Sequence, residues 1–176
     1  RISVRSGGFE IVRSSISSIS TDQRIQMLLI AFCFGGFLEG AAGFGIPIAI
    51  CAALLVSLGF NPLKAAMFAL IANVSSGAYG AIGIPVTTAA TRGGVDLHAL
   101  SIEMVLVIQI MAALIPVLLV AIQDGLRGIR EVGLVALIVG LIYSGGQSVL
   151  LAGLGNPELV DIIPPLLALI ALALIM

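Results

Sequence analysis

Long apolar runs alternate with short polar segments along this chain, at lengths typical of membrane-crossing helices. Residues 1–24 are mixed polar and charged, whereas the rest of the chain is dominated by apolar side chains. The apolar runs cover residues 25–60, 65–91, 104–122, 132–150 and 162–176. The pattern predicts an all-α membrane protein, a polytopic helical bundle. It would have a cytoplasmic or interfacial segment over 1–24 and a single transmembrane domain over 25–176.

Within the polar segment, Val12, Ile16 and Ile19 would share one face of a helix, with serines covering much of the rest. That arrangement favours a helix at the membrane surface. A solvated loop with one short helix is the alternative. The chain begins at Arg1, and its last apolar run, 162–176, stops short of a full span. We therefore expect a piece of a longer protein, incomplete at both ends.

The first apolar run, residues 25–60, is interrupted at its centre. The glycine-rich stretch 40–45 precedes Pro47, and this combination breaks a helix. The arms on either side, 25–38 and 47–60, are equal in length. Each arm would reach about 21 Å, against about 30 Å of hydrocarbon. We expect a re-entrant hairpin over about 25–60, with two ordinary spans and a tight turn as the alternative.

A second break is predicted in the next apolar run. The glycine-rich stretch 77–83 precedes Pro85, which again favours an interruption. We expect a discontinuous helix over about 62–91. One helix would cover 62–78, the backbone would unwind near 79–84, and a half-helix would start at the proline. One long, tilted helix with a proline kink is the alternative. The runs 104–122 and 132–150 each fit a single span.

Composition narrows the function classes. Hydrophobic residues make up 60% of the 176 residues and charged residues 10%, too few to coat a soluble domain. The net charge of −1 lacks the excess of basic residues that nucleic-acid binding requires. Cys33 and Cys51 lie in apolar runs and match no zinc or disulfide framework. Motifs of metalloproteases, serine hydrolases and phosphate-binding loops are absent from the sequence. An enzyme is therefore not expected, and neither is a metal or organic cofactor.

The basic residues predict an orientation. If the hairpin returns to the side of residues 1–24, most of them fall in the cytoplasm, as the positive-inside rule favours. These residues are Arg1, Arg5, Arg13, Arg24, Lys64, Arg127 and Arg130. Arg92 would lie outside, as would the loop 151–161 with Glu158 and Asp161.

Glu39 is the one charged residue in 25–60. A carboxylate at this depth costs about 2.5–3.5 kcal/mol on insertion scales and usually marks an ion, proton or substrate path. Glu39 is therefore predicted to carry a proton. The structural alternative is a side chain that accepts backbone N–H groups and fixes the hairpin tip. The two roles can coexist.

The triplet Gly-Ile-Pro occurs at residues 45–47 and again at 83–85, once at each predicted break. Proline is tolerated in the first turn of a helix, where its missing N–H costs nothing. Two helix N-termini would then point into the protein, each with free N–H donors and a partial positive charge. Such termini bind anions in transporters with broken helices.

Polar side chains flank the second break. Asn73, Ser75, Ser76, Thr87 and Thr88 could contact a carboxylate, a hydroxyl or an ion, and helix–helix packing is the alternative for each. Gln109, Ser144 and Gln147 lie in the simple spans, where packing is favoured, and His98 is expected in a solvated loop.

The stretches SVRSGGFEIVRSSI, DQRIQMLLIAFCFGGFLEGAAGFGIPIAI, GAIGIP and QDGLRGIRE resemble the bacterial L-lactate permease family. The similarity runs through nearly the whole chain, and FLEGAAGFG followed by Ile-Pro is its most specific part. The resemblance implies a multi-pass protein of the bacterial inner (plasma) membrane that takes up L-lactate, D-lactate or glycolate with protons. It also implies one repeat of an inverted-repeat transporter, with the second repeat in the remainder of the same polypeptide.

The resemblance implies a small monocarboxylate as substrate and H⁺ as coupling ion. The expected partners are the lipid bilayer and the remaining polypeptide, without nucleic acid, and homo-oligomerisation stays open. The alternative function is a sodium-coupled transporter of another small carboxylate. A passive anion channel, a membrane-embedded enzyme and a structural subunit are further rivals.

One stretch departs from the family pattern. After Asn73 the family often has Ala-Pro and later Phe, whereas this chain has Val74-Ser75-Ser76 and then Tyr79. Tyr79 adds a hydroxyl near the predicted site, which bears on substrate choice. The predicted substrate-binding residues are Gly40, Gly43, Gly45, Asn73, Ser75, Ser76, Tyr79, Gly80, Gly83, Thr87 and Thr88, with Glu39 coupling the proton.

Overall fold

A computed structural model describes residues 8–43, 45–155 and 157–176. The described part is built from helices and turns, which confirms the all-α prediction. The helices are α1 (Gly8–Ile19), α2 (Gln23–Ala42), α3 (Ile46–Ser57), α4 (Pro62–Asn73), α5 (Gly80–Gly93), α6 (Leu97–Ser148) and α7 (Ile163–Ile175). Residues 1–7 of the predicted interfacial segment and the side chain of Val12 lie outside the described residues.

Polar caps fix where several helices begin. The Asp22 carboxylate accepts from the Arg24 backbone N–H at 2.8 Å and starts α2. Asn61 accepts from the Leu63 N–H at 3.0 Å, directly before Pro62. The Asp96 carboxylate accepts from the Ala99 N–H at 2.9 Å and starts α6. These side chains satisfy N–H groups that a helix start leaves open.

Helix α2 is the centre of the core. Met27, Leu28, Ile30 and Cys33 are fully buried, and α3, α4, α6 and α7 all pack on this helix. Its middle part, Leu28–Phe34, is a π-helix. The Ile30 carbonyl there also accepts a weak hydrogen bond from the Cys51 thiol at 3.2 Å, which ties α3 to α2.

Helix α6 folds back on itself at Asp124 and Gly125, where Gly125 has a φ of 60°. Its two arms, 97–123 and 126–148, pack so closely that a side chain at Gly140 would collide with the Ala113 carbonyl. The second arm continues as a π-helix to Gly153. The predicted spans 104–122 and 132–150 lie inside these arms, but the predicted loop between them is reduced to a tight turn at Asp124 and Gly125.

An ion-pair cluster closes one end of the molecule. Arg24 contacts Asp22 at 2.7 Å, Asp124 at 3.0 Å and Glu131 at 2.7 Å, and Glu131 also accepts from Arg127 at 2.9 Å. The hydrogen bond from Arg24 holds the pKa of Asp22 below its ordinary value. The start of α2 and the turn of α6 therefore lie at the same end, as the basic-residue pattern predicts for Arg24 and Arg127.

The outer surface is strongly apolar. Val107, Ile110, Leu134 and Leu174 are 72%, 67%, 72% and 82% exposed, and many similar side chains on α6 and α7 are exposed as well. A soluble protein rarely shows such continuous apolar surface, whereas lipid solvates it. Gln23–Ala42 and Leu97–Gly153 are long and apolar enough to cross a membrane.

The helix arms around the first break differ from the prediction. The sequence suggested two arms of equal length, but α2 has 20 residues and α3 has 12. The reason is that α2 continues through Gly40 to Ala42 and ends only before Gly43. Close packing explains why Gly40 stays helical, since a Cβ there would collide with the Asp161 backbone carbonyl.

Candidate functional site

The two predicted breaks meet in the interior. Helix α2 ends at Gly43, which has a φ of 60° and follows Ala42. A Cβ at Gly43 would lie 2.8 Å from the Ala81 Cβ and 2.9 Å from the Ala81 nitrogen. The last turn of α2 and the first residues of α5 are therefore in direct backbone contact. Only a glycine at position 43 permits this approach.

The second break is wider than predicted. Helix α4 ends at Asn73, and turns follow through 74–79. Ala81, Ile82 and Gly83 then have φ values of 49°, 60° and 74°, so a regular helix resumes only at Ile84. Left-handed backbone costs an L-residue about 1–2 kcal/mol. Strain of this kind persists where surrounding structure enforces it, and it is common at functional sites.

Both Gly-Ile-Pro segments adopt the same local structure. Gly45 has a φ of 81° and Gly83 a φ of 74°, and in each case a helix begins at the next residue. Pro47 and Pro85 lie in the first turns of these helices, as predicted. Ile46 and Ile84 are 50% and 52% exposed.

Glu39 lies at the contact between the two breaks. It is 4% exposed and one turn before the end of α2. A Cβ at Gly80 would lie 2.6 Å from Glu39 Oε1, so the Glu39 carboxylate fills the space beside the Gly80 backbone. The next residue, Gly40, packs against the backbone carbonyl of Asp161.

Asp161 is a second buried carboxylate, although the sequence predicted it in a loop outside the membrane. It is 1% exposed. Its Oδ1 accepts from Gln147 Nε2 at 2.7 Å and from the Tyr143 hydroxyl at 3.3 Å. Gln147 Nε2 also lies 3.3 Å from the Ser75 carbonyl, which links α6 to the wide break after α4.

The sequence did hold one signal for this cluster. Tyr143 and Gln147 are four residues apart and therefore share a helix face, and both are fully buried. The prediction that Gln147 only packs is therefore too narrow, since its amide joins Asp161 to the second break.

Ser75, Ser76 and Tyr79 are buried beside this cluster. Both serines donate to carbonyls three residues earlier, Ser75 to Ala72 at 2.7 Å and Ser76 to Asn73 at 3.4 Å. Both serine hydroxyls also lie beside the Tyr143 hydroxyl. Tyr79 packs among apolar side chains, with its hydroxyl beside Gln109 and in the field of the Asp161 carboxyl.

The remaining predicted residues lie apart from this centre or at its edge. A Cβ at Gly45 would meet open space, and Asn73 is half-buried. Thr87 donates to the Gly83 carbonyl at 3.0 Å, so it supports the turn. Thr88 is exposed and lines a surface groove with Thr91 and Arg92.

A turn covers the second break from the other side. A Cβ at Gly83 would lie 2.8 Å from the Pro157 carbonyl oxygen, and Asp161 follows in the same connection between α6 and α7. Three segments thus converge: the end of α2, the start of α5 and residues 157–161. The glycines of α2 and α5 allow close backbone contact, and the buried acidic groups at this contact are Glu39 and Asp161.

The apolar exterior, the interrupted helices and the buried polar centre define a helical membrane protein. The L-lactate permease family model matches residues 1–176. The chain belongs to the L-lactate permease family, whose members are transporters and not enzymes. The family resemblance of the sequence is thereby confirmed.

Relatives match almost the whole chain. It is 51% identical to an L-lactate permease of Halalkalibacterium halodurans over 177 residues, which cover 99% of this chain and 34% of that protein. It is 46% identical to an L-lactate permease of Escherichia coli K12, over 99% of this chain and 31% of that protein. It is 44% identical to the glycolate permease GlcA of Escherichia coli K12, with the same coverage. The chain thus spans about a third of these relatives. No solved structure matches it.

Proposed function

We propose that the chain forms one half of the site of a secondary transporter that imports L-lactate by proton symport. D-lactate and glycolate would be alternative substrates, and the site would lie in a bacterial plasma membrane. The observation that carries this proposal is the contact of the two helix breaks at Gly43 and Ala81, with Glu39 beside them. The names of the relatives, L-lactate permease and glycolate permease, support the substrate class.

The breaks suit a carboxylate. No side-chain cap is present at Gly45, before Ile46, or at Tyr79, before Gly80, and the first N–H groups of a helix lack intrahelical partners. Oriented N–H groups and the helix dipole stabilise an anion without an arginine or lysine. In our proposal the backbone at the two breaks binds the carboxylate, and Ser75, Ser76 and Tyr79 supply hydroxyl contacts near it.

The geometry also suits a re-entrant arrangement. Helices α3 and α4 have 12 residues each, and each is therefore about 18 Å long, too short to cross about 30 Å of hydrocarbon. We place α2 and α3 as a hairpin whose tip meets the second break inside the membrane. The remainder of the longer polypeptide would supply the second, inverted repeat and complete the site.

Glu39 is the proposed coupling group. Its side chain is buried where the two breaks touch, so neutralising its charge would affect both breaks at once. Proton binding there can then be linked to substrate binding through a shared coupling free energy. The competing role, fixing the tip of the hairpin, uses the same contact with Gly80.

The experiment is uptake of labelled L-lactate into vesicles that contain the full-length parent protein, with an inward proton gradient and no sodium. We expect accumulation that a protonophore abolishes. Glu39→Gln should abolish accumulation, while Glu103→Gln, an exposed carboxylate on α6, should transport normally. Accumulation that needs a sodium gradient would refute proton symport, and a Glu39→Gln variant with unchanged uptake and pH dependence would refute the coupling role.

A further inference from the structure

Asp161 lies outside the functional set that sequence reasoning identified, yet it is among the most deeply buried carboxyls of the described chain. It is 1% exposed and sits in the connection that packs on Gly40, the residue after Glu39. The Glu39 and Asp161 carboxyls also interact electrostatically. Two acidic groups are therefore held in one dry region of the protein.

The hydrogen bonds of Asp161 are uneven. Oδ1 accepts from Gln147 and Tyr143, whereas the buried Oδ2 has no hydrogen-bond partner among the described residues. Both oxygens of an ionised carboxylate accept hydrogen bonds. Burying a charged oxygen without a hydrogen-bond donor costs free energy. The arrangement suits a carboxyl with a proton on Oδ2.

Within the described ranges, the groups around Asp161 supply no compensating positive charge. Those that face it are Tyr143, Gln147, Tyr79 and Glu39. Two buried carboxylates with these surroundings repel each other, and each loses hydration. The basic residues of the described chain lie elsewhere: Lys64, Arg92, Arg127 and Arg130 are exposed, and Arg24 belongs to the ion-pair cluster at the molecular surface.

Further polar atoms extend from this pair into the interior. Gln147 Oε1 is also buried without a hydrogen-bond partner among the described residues. Tyr79 lies in the field of Asp161 and beside Gln109.

We propose that Glu39 and Asp161 act as a carboxyl pair that together binds the coupled proton. This inference rests on the proposed proton symport. In the substrate-loaded state the pair holds one proton, taken from the side on which substrate enters. It releases that proton after substrate leaves on the other side. Tyr143 and Gln147 are positioning residues, because they orient Oδ1 and leave Oδ2 to titrate.

The test uses the purified full-length parent protein in detergent and in proteoliposomes. Proton uptake on lactate binding is measured with a pH indicator in weakly buffered solution, next to lactate affinity against pH. Accumulation under a proton gradient is compared with lactate exchange at equal pH, which needs no net proton transfer. Asp161→Asn, Asp161→Glu and the exposed control Glu103→Gln are compared with the unaltered protein.

We expect Asp161→Asn to lose proton uptake and accumulation and to retain exchange. Coupling between two ligands typically changes affinity about 5–150-fold. The affinity for lactate should therefore depend on pH in the unaltered protein, and this dependence should flatten in Asp161→Asn. Asp161→Glu should restore it. Unchanged proton uptake in a folded Asp161→Asn protein would overturn the carboxyl pair. Loss of both accumulation and exchange in a folded protein would also overturn it, since it would indicate a structural or substrate contact.

A second variant keeps the inference testable where Asp161→Asn does not fold. Tyr143→Phe removes one donor to Oδ1, and a donor favours the charged carboxylate. The pH midpoint of proton-driven uptake should therefore move to higher pH, and an unchanged midpoint would overturn the pair.

If the unaltered protein takes up no proton on binding lactate, the proposed symport itself fails. If Glu39→Gln abolishes proton uptake and Asp161→Asn does not, the result supports proton symport and refutes the role of Asp161.

Discussion

The two Gly-Ile-Pro segments have the same backbone and different surroundings. Gly45 has a φ of 81° and Gly83 a φ of 74°, and both precede a helix with proline in its first turn. A Cβ at Gly45 meets open space, whereas a Cβ at Gly83 meets the Pro157 carbonyl. Local sequence thus sets the turn, and distant chain segments decide whether that turn is fixed. The second break is enclosed, and the first is open on the side of Gly45.

The largest expected difference comes from alanine at the two glycines. Gly83→Ala adds both left-handed strain and a collision with Pro157, so we expect a loss of about 2–5 kcal/mol in the free energy of unfolding. Gly45→Ala adds only the strain, about 1–2 kcal/mol. Thermal unfolding of the purified full-length variants in detergent measures both. Equal losses would show that packing does not distinguish the two breaks.

A smaller effect on stability is expected at Gly80. A Cβ there would collide with the flexible end of Glu39 and not with backbone, so the side chain can move at a cost of about 1 kcal/mol. Transport should suffer more than stability, because the displaced carboxyl is the proposed coupling group. Uptake against pH, measured beside thermal unfolding, checks this. A Gly80→Ala protein with normal uptake would argue that the position of Glu39 is not critical.

The smallest effect is expected at the prolines. Replacing proline by alanine at a compatible position costs about 0.4–1 kcal/mol through the unfolded chain. Pro85 is exposed and Pro47 is buried, so Pro47→Ala should cost more because packed ring atoms are lost as well. Thermal unfolding of both variants gives the comparison. A larger loss for Pro85→Ala would contradict the view that burial separates the two turns.

The sequence could predict both breaks because glycine clusters and proline act locally. The end of α2 at Ala42 and the helix starts at Ile46 and Ile84 follow from such signals. The lengths of the arms did not follow, since Gly40, expected at the break, stays helical where it packs against the Asp161 backbone. Glycine occurs both in turns and where helices pack closely, and the local sequence does not distinguish the two.

The acidic centre was only half predictable. Glu39 is conspicuous as a single charge in an apolar run, whereas Asp161 lies at the boundary of a polar connection and reads as solvated. Its burial depends on how residues 157–161 fold onto Gly40 and Gly83, which lie far earlier in the sequence. Contacts between segments this far apart in sequence produce no pattern of apolar residues near Asp161 that would predict its burial.

The shortness of α3 and α4 has a consequence for biosynthesis. Each has 12 residues and reaches about 18 Å, so its ends would leave backbone groups exposed in hydrocarbon if it entered lipid alone. The two helices pack on each other and on α2. In the proposed re-entrant arrangement we therefore expect them to enter the bilayer together, after α2, so that membrane insertion and tertiary folding of this stretch are a single event.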